Sequence, residues 1–271
     1  MATKKTEAPK TEETTALTTA PETAMAAPDF IEQGSAGTEN ISGDDLLLPR
    51  LALAQKMSPE VDEMQPEKLI DGLKVGMLFN NISKEVYGKG PLNFIVLRID
   101  RPRGIQFKPM EEGGGIVDFN VPMNDPRMLW GADGSKPVAT KFYDFVVMLY
   151  APGEAYHGDL IVLSLKSTGV KVAKRLNTLV TTRKKDGRPV PCYAGLYAVK
   201  TGVAQSPQGP YATYEVDNAG WYPDAETYAK AKELFAMVAT KNIDVEREPG
   251  ADDDFPTDDN PNAGTGSGPA M

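Results

Sequence analysis

The chain has 271 residues and a formal net charge of −9. One cysteine, Cys192, and one histidine, His157, exclude an internal disulfide and the usual Cys/His zinc sites within one chain, and leave any Ser-His-Asp or Cys-His mechanism resting on His157. The charge is sorted along the sequence, −5 over residues 1–44, +3 over 45–241 and −7 over 242–271.

Residues 1–43 read as a disordered acidic arm. They are rich in Thr, Ala, Glu and Pro and carry almost no large apolar side chain, so nothing offsets the entropy of ordering them. Residues 1–20 hold no apolar stretch of the kind a secretory leader needs, and the single cysteine fits a reduced setting. A cytoplasmic location is therefore expected. The longest apolar run, around 142–151, contains Asp144 and is too short to span a bilayer as a helix. No membrane partner is expected.

Residues 44–241 read as one β-rich domain. Pro49 argues against a helix interior, so the alternation at Leu51-Ala52-Leu53-Ala54 predicts an entry strand. Short apolar or alternating runs follow at 77–80, 92–99, 105–107, 116–119, 142–150 and 160–165, separated by Gly, Pro, Asn and Asp. That pattern predicts a barrel or sandwich. His157 falls in a turn before the last of these runs. Residues 170–180 switch to helical spacing, with Val172, Leu176, Leu179 and Val180 to one side and Lys171, Lys174 and Arg175 near the other. Asp186-Gly187 marks a hairpin tip. Strands are predicted over 191–201 and 211–216, with a loop over 205–210 between them. A helix follows over 224–240, with Asp224 as its N-cap and Tyr228, Ala231, Leu234, Phe235 and Val238 on its apolar face. Residues 242–271 read as a second disordered acidic tail.

Several chemistries lack their residues. Gly88-Lys89-Gly90 has neither the upstream glycine spacing nor the Ser/Thr of a phosphate loop. Gly113-Gly114-Gly115 does not match a dinucleotide fingerprint and reads as a hairpin tip. The run from Asp159 to Lys166 looks like a metal-nuclease strand, but Ser164 stands where a second carboxylate would share the metal. A non-catalytic protein without cofactor or metal is expected. A hydrolase using Asp118, Asp144 or Asp159 is the minor alternative.

Binding is the better-supported class. Between 166 and 200 there are nine Lys/Arg and one acid, Asp186. Lys166, Lys171, Lys174, Arg175, Arg183, Lys184, Lys185 and Arg188 are the candidate phosphate contacts. Strand alternation would put Tyr193, Gly195, Tyr197 and Val199 on one face. Tyr193 and Tyr197 would then form a shelf on which bases of a single strand stack. Against this, tyrosines are common strand residues and acidic tails can serve solubility alone. Trp130 and Trp221, with no Lys or Arg beside them in sequence, read as core or hinge residues.

The layout resembles that of phage-encoded single-stranded DNA-binding proteins of the oligonucleotide/oligosaccharide-binding (OB) fold. The matching pieces are Leu48-Pro49-Arg50-Leu51 at the entrance, Leu163-Ser164-Leu165-Lys166-Ser167-Thr168 before the basic segment, and Gly220-Trp221-Tyr222 before the helix. Asp252, Asp253, Asp254 and Phe255 resemble the acidic tail by which such proteins recruit partners. Here Pro256 and fifteen further residues follow that cluster, which departs from a terminal docking tail. The resemblance implies an OB-like core, mainly β (α+β) with a C-terminal helix. It implies single-stranded DNA as ligand, replication or recombination proteins as tail partners, and room for self-association. The competing expectation is a phage virion structural or assembly protein.

Overall fold

A computed structural model describes residues 47–206 and 209–239. Its centre is β7 (Ala139–Leu149), whose side chains are apolar on both faces. Phe145, Val147 and Leu149 enter one core layer, Val146 and Met148 the other. A strand of this kind must be covered on both sides.

On one edge β7 pairs with β8 (Leu160–Lys166). Along its other edge lie β4 (Leu92–Ile99) and then β5 (Arg103–Phe107). These two amount to one strand interrupted at Asp100-Arg101-Pro102. The Asp100 N–H still donates to the Asp144 carbonyl at 3.0 Å, but Pro102 has no N–H to give. β5 also pairs with β6 (Ile116–Val121). β4 continues the sheet through β11 (Leu196–Ser206) to β12 (Gly209–Gly220). All seven strands pair antiparallel. A smaller sheet is formed by β1 (Leu51–Leu53), β2 (Leu78–Asn80) and β3 (Val86–Gly88).

Two helices cover the large sheet. α1 (Gly169–Thr181) buries Val170, Ala173, Leu176 and Val180 on the face that carries Phe94, Val96, Phe145, Leu163 and Tyr197. α2 (Ala225–Val238) buries Ala231 and Val238 on the opposite face, against Ile95, Leu97, Val146 and Met148. The Asp224 carboxylate accepts from the Thr227 N–H at 2.6 Å and caps α2 as expected. Full burial of a side chain such as Phe94 or Phe145 contributes about 1.5–3 kcal/mol.

The mainly β chain with a C-terminal helix is thus observed, but not the barrel. Among the described residues the strands form an open sheet, with β12 and β6 paired on one side only. A small barrel has one apolar interior and a wet exterior. Here Ile95, Leu97, Val146 and Met148 form a second apolar layer that only an added element, α2, can cover. The strand predicted over 191–201 also starts late, because Cys192–Ala194 forms a 3₁₀ turn. The expected arms over 1–43 and 242–271 lie outside the described residues, and so does the tail cluster Asp252–Asp254 with Phe255. No described helix is long and apolar enough to cross a membrane.

Candidate nucleic-acid interface

α1 buries one side and turns the other to water. Lys171, Lys174, Arg175 and Thr178 occupy i, i+3, i+4 and i+7, and all are exposed. The row spans about 10 Å of a helix about 20 Å long. It continues into a hairpin, β9 (Lys184–Lys185) and β10 (Arg188–Pro189). Asp186 and Gly187 have φ of +51° and +77°, the pair of positive values that a type I′ turn requires. Lys184, Lys185 and Arg188 are exposed beside that tip.

Acidic residues on β12 meet part of this charge. Arg175 donates to Asp217 at 2.6 Å, and the Lys200 ammonium lies 3.3 Å from Asp217 and 3.4 Å from Glu215. Hydrogen bonds to Asp217 and Glu215 push the Lys200 ammonium up. Exposed pairs of this kind are weak, so a phosphate can displace the acid from Arg175.

Lys166 sits at the opposite end of α1. Its Nζ is 5.7 and 5.8 Å from the Phe107 and Phe142 ring centroids. With Arg50, Leu53, Ser164, Thr168, Gly169, Thr213 and Tyr214 it lines a small cleft. The Ser164 hydroxyl donates to Asp144 Oδ1 at 2.6 Å, and Arg103 donates to Asp144 Oδ2 at 3.2 Å. That carboxylate is therefore satisfied inside the protein. Arg50, Lys166 and a first turn of α1 without acids make the cleft positive.

Two expectations need correction. Tyr193 and Tyr197 do not share an exposed face, since they are 7 % and 0 % exposed and belong to opposite core layers. The 3₁₀ turn at Cys192–Ala194 breaks the two-residue period on which the shelf depended. Tyr193 packs on Phe235 and Tyr228 beneath α2, and Tyr197 packs on Phe94. Burial pushes both phenols up. Arg183 is the second correction. It is buried, and its guanidinium donates to the Gly220 carbonyl, the Leu196 carbonyl and Asn218 Oδ1. Its Cζ also lies 4.9 Å from the Tyr197 ring centroid and 4.6 Å from that of Trp221. It holds the fold together rather than meeting a phosphate.

Trp221 was missed. It is 50 % exposed and stands on a cation 38 positions away in sequence, which nothing local to the chain reveals. The remaining residues singled out earlier fall apart. His157 lies exposed in its turn, with Nδ1 accepting from the Ala151 N–H at 3.1 Å. Asp118 pairs with Arg127 at 3.0 Å, while Asp144 is held by Ser164 and Arg103. Among the described residues no three His, Cys, Asp or Glu side chains gather as metal ligands.

A family model described as Pam3 phage gp34-like protein matches residues 18–244, most of the chain and all of the described fold. The chain belongs to the Pam3 phage gp34-like protein family. Membership supports the phage origin expected from the sequence. No curated protein and no solved structure matches the chain significantly.

Proposed function

We propose that this member of the Pam3 phage gp34-like family is a non-catalytic single-stranded DNA-binding protein, acting where strands are exposed during phage replication or recombination. One observation carries the reading. Lys171, Lys174 and Arg175 on the outer row of α1 run on into Lys184, Lys185 and Arg188 of the β9–β10 hairpin, so six exposed cations form one continuous track. A track of that kind neutralises successive phosphates and releases their counterions without reading sequence. The acidic tail over 250–271 competes with DNA for these cations and offers Asp252–Asp254 and Phe255 to protein partners.

The test is fluorescence anisotropy of the full chain with labelled oligo-dT and with a duplex of equal length, at several salt concentrations. Six phosphate contacts give a slope of log K against log[salt] of about −4 on single strands. Single strands are expected to bind more tightly than duplex at every salt. Duplex binding as tight or tighter, or no binding to oligo-dT, overturns the proposal. A virion assembly protein gives the second of those results and sediments with particles.

A further inference from the structure

We propose that the outer face of Trp221 is a stacking seat for one unstacked base of a single-stranded nucleic acid. This rests on the single-strand reading above and locates the aromatic contact that Tyr193 and Tyr197 do not supply. A half-exposed indole at the end of a strand keeps a large apolar surface in water. Its position is nevertheless fixed. The Arg183 guanidinium, anchored on Gly220, Leu196 and Asn218, lies over the Trp221 ring and also over the buried Tyr197 ring. Tyr197, Arg183 and Trp221 therefore form a stack that is rooted in the core and ends at the surface. Flat aromatic side chains held this way accept any base, because every base has a π face.

The surroundings fit the same occupant. Lys184 follows Arg183 directly, and Lys185 and Arg188 are exposed on the same hairpin. A nucleotide stacked on Trp221 keeps its phosphate within the field of those three cations. The Asn218 side-chain oxygen is taken up within the fold, accepting from Arg183 and from the Gly220 N–H. A duplex cannot use the seat, because its bases are stacked on one another.

The experiment uses the full chain. Trp221 and Trp130 are its two tryptophans, so W130F leaves Trp221 as the single indole reporter. Titration of W130F with oligo-dT is expected to quench that fluorescence, and duplex of equal length at the same salt is expected to leave it unchanged. W221A is expected to weaken oligo-dT binding about 5- to 150-fold with an unaltered salt slope. W221Y keeps a flat ring and is expected to recover most of the loss, which guards against W221A acting through misfolding. Normal oligo-dT binding by W221A, together with unquenched W130F in the presence of bound oligo-dT, overturns the seat while leaving the single-strand reading intact. Failure of the unsubstituted chain to bind oligo-dT at all overturns both.

Discussion

Arg183 fills three acceptors with one planar fork: the carbonyls of Gly220 and Leu196 and the side-chain oxygen of Asn218. Removing it takes a charged donor from the part-buried Gly220 carbonyl and the buried Leu196 carbonyl, while Asn218 Oδ1 keeps the Gly220 N–H. Hydrogen bonds to a charged group are worth about 1.5–3 kcal/mol each, and they share one side chain, so the losses do not add in full. Arg183→Ala is expected to destabilise the domain by about 3 kcal/mol in urea unfolding, and Arg183→Lys to rescue little, because an ammonium cannot reproduce the fork. A change of less than about 1 kcal/mol would show that Arg183 is a surface contact after all. The tyrosines divide in the same way. Tyr193→Ala and Tyr197→Ala are each expected to cost about 3–5 kcal/mol of stability, as large buried aromatics do, while the folded fraction keeps its salt slope for DNA. Cys192 supplies a third residue-level check. Its Sγ donates to the Leu97 carbonyl at 3.5 Å, and burial pushes the thiol up. Alkylation of Cys192 near pH 8 should be slow in the folded chain and fast in urea, since the thiolate is the reactive form.

At the scale of elements, the helices and the central strands were legible because their period survives packing. The spacing of Val172, Leu176 and Val180 found α1, and the apolar runs at 92–99, 142–150 and 160–165 found β4, β7 and β8. Alternation failed at 191–201, where Cys192–Ala194 coils before the strand begins and changes which face Tyr193 meets. The open sheet was hidden for a related reason. The punctuation of short runs by Gly, Pro, Asn and Asp is the same in a barrel and in an open sheet, and it does not show what covers each face. Nor did anything near residue 221 signal Arg183, because that pairing is tertiary. The α2 cap gives a prediction at this scale. Its hydrogen bonds to Thr227 hold the Asp224 carboxyl below the usual carboxylate range. A depressed carboxyl stabilises above its unfolded value, near pH 4, and loses that contribution as pH falls through the lower folded value. Asp224→Ala is therefore expected to lower the thermal midpoint at pH 7. The gap to the unsubstituted protein should narrow below pH 4, and a gap that is constant down to pH 2 would assign the effect to something other than the carboxylate.

For the whole molecule the governing fact is that opposite charges are joined by one chain. Residues 250–271 carry five Asp and no Lys or Arg, and the cationic track lies on α1 and the β9–β10 hairpin. Covalent linkage gives such a polyanion a high effective concentration at the track, whatever the protein concentration. On the proposed reading, incoming DNA has to displace carboxylates as well as counterions. Within the fold Asp217 pairs with Arg175. Truncation after Pro249 is expected to tighten oligo-dT binding, most at low salt, where the Debye length is longest. The gain should be modest, because the phosphates of a long strand outnumber five carboxylates. It should also depend on the track: in a Lys171→Ala, Lys174→Ala background the same truncation should yield less, since there is less charge for the tail to cover. Side-by-side titrations of the four proteins at low and high salt decide the matter. If truncation changes affinity equally in both backgrounds, the tail acts through net charge alone. If it changes affinity in neither, the tail does not compete for the track, and the acidic segment is a solubility device with a separate partner at Asp252–Asp254 and Phe255 still to be sought.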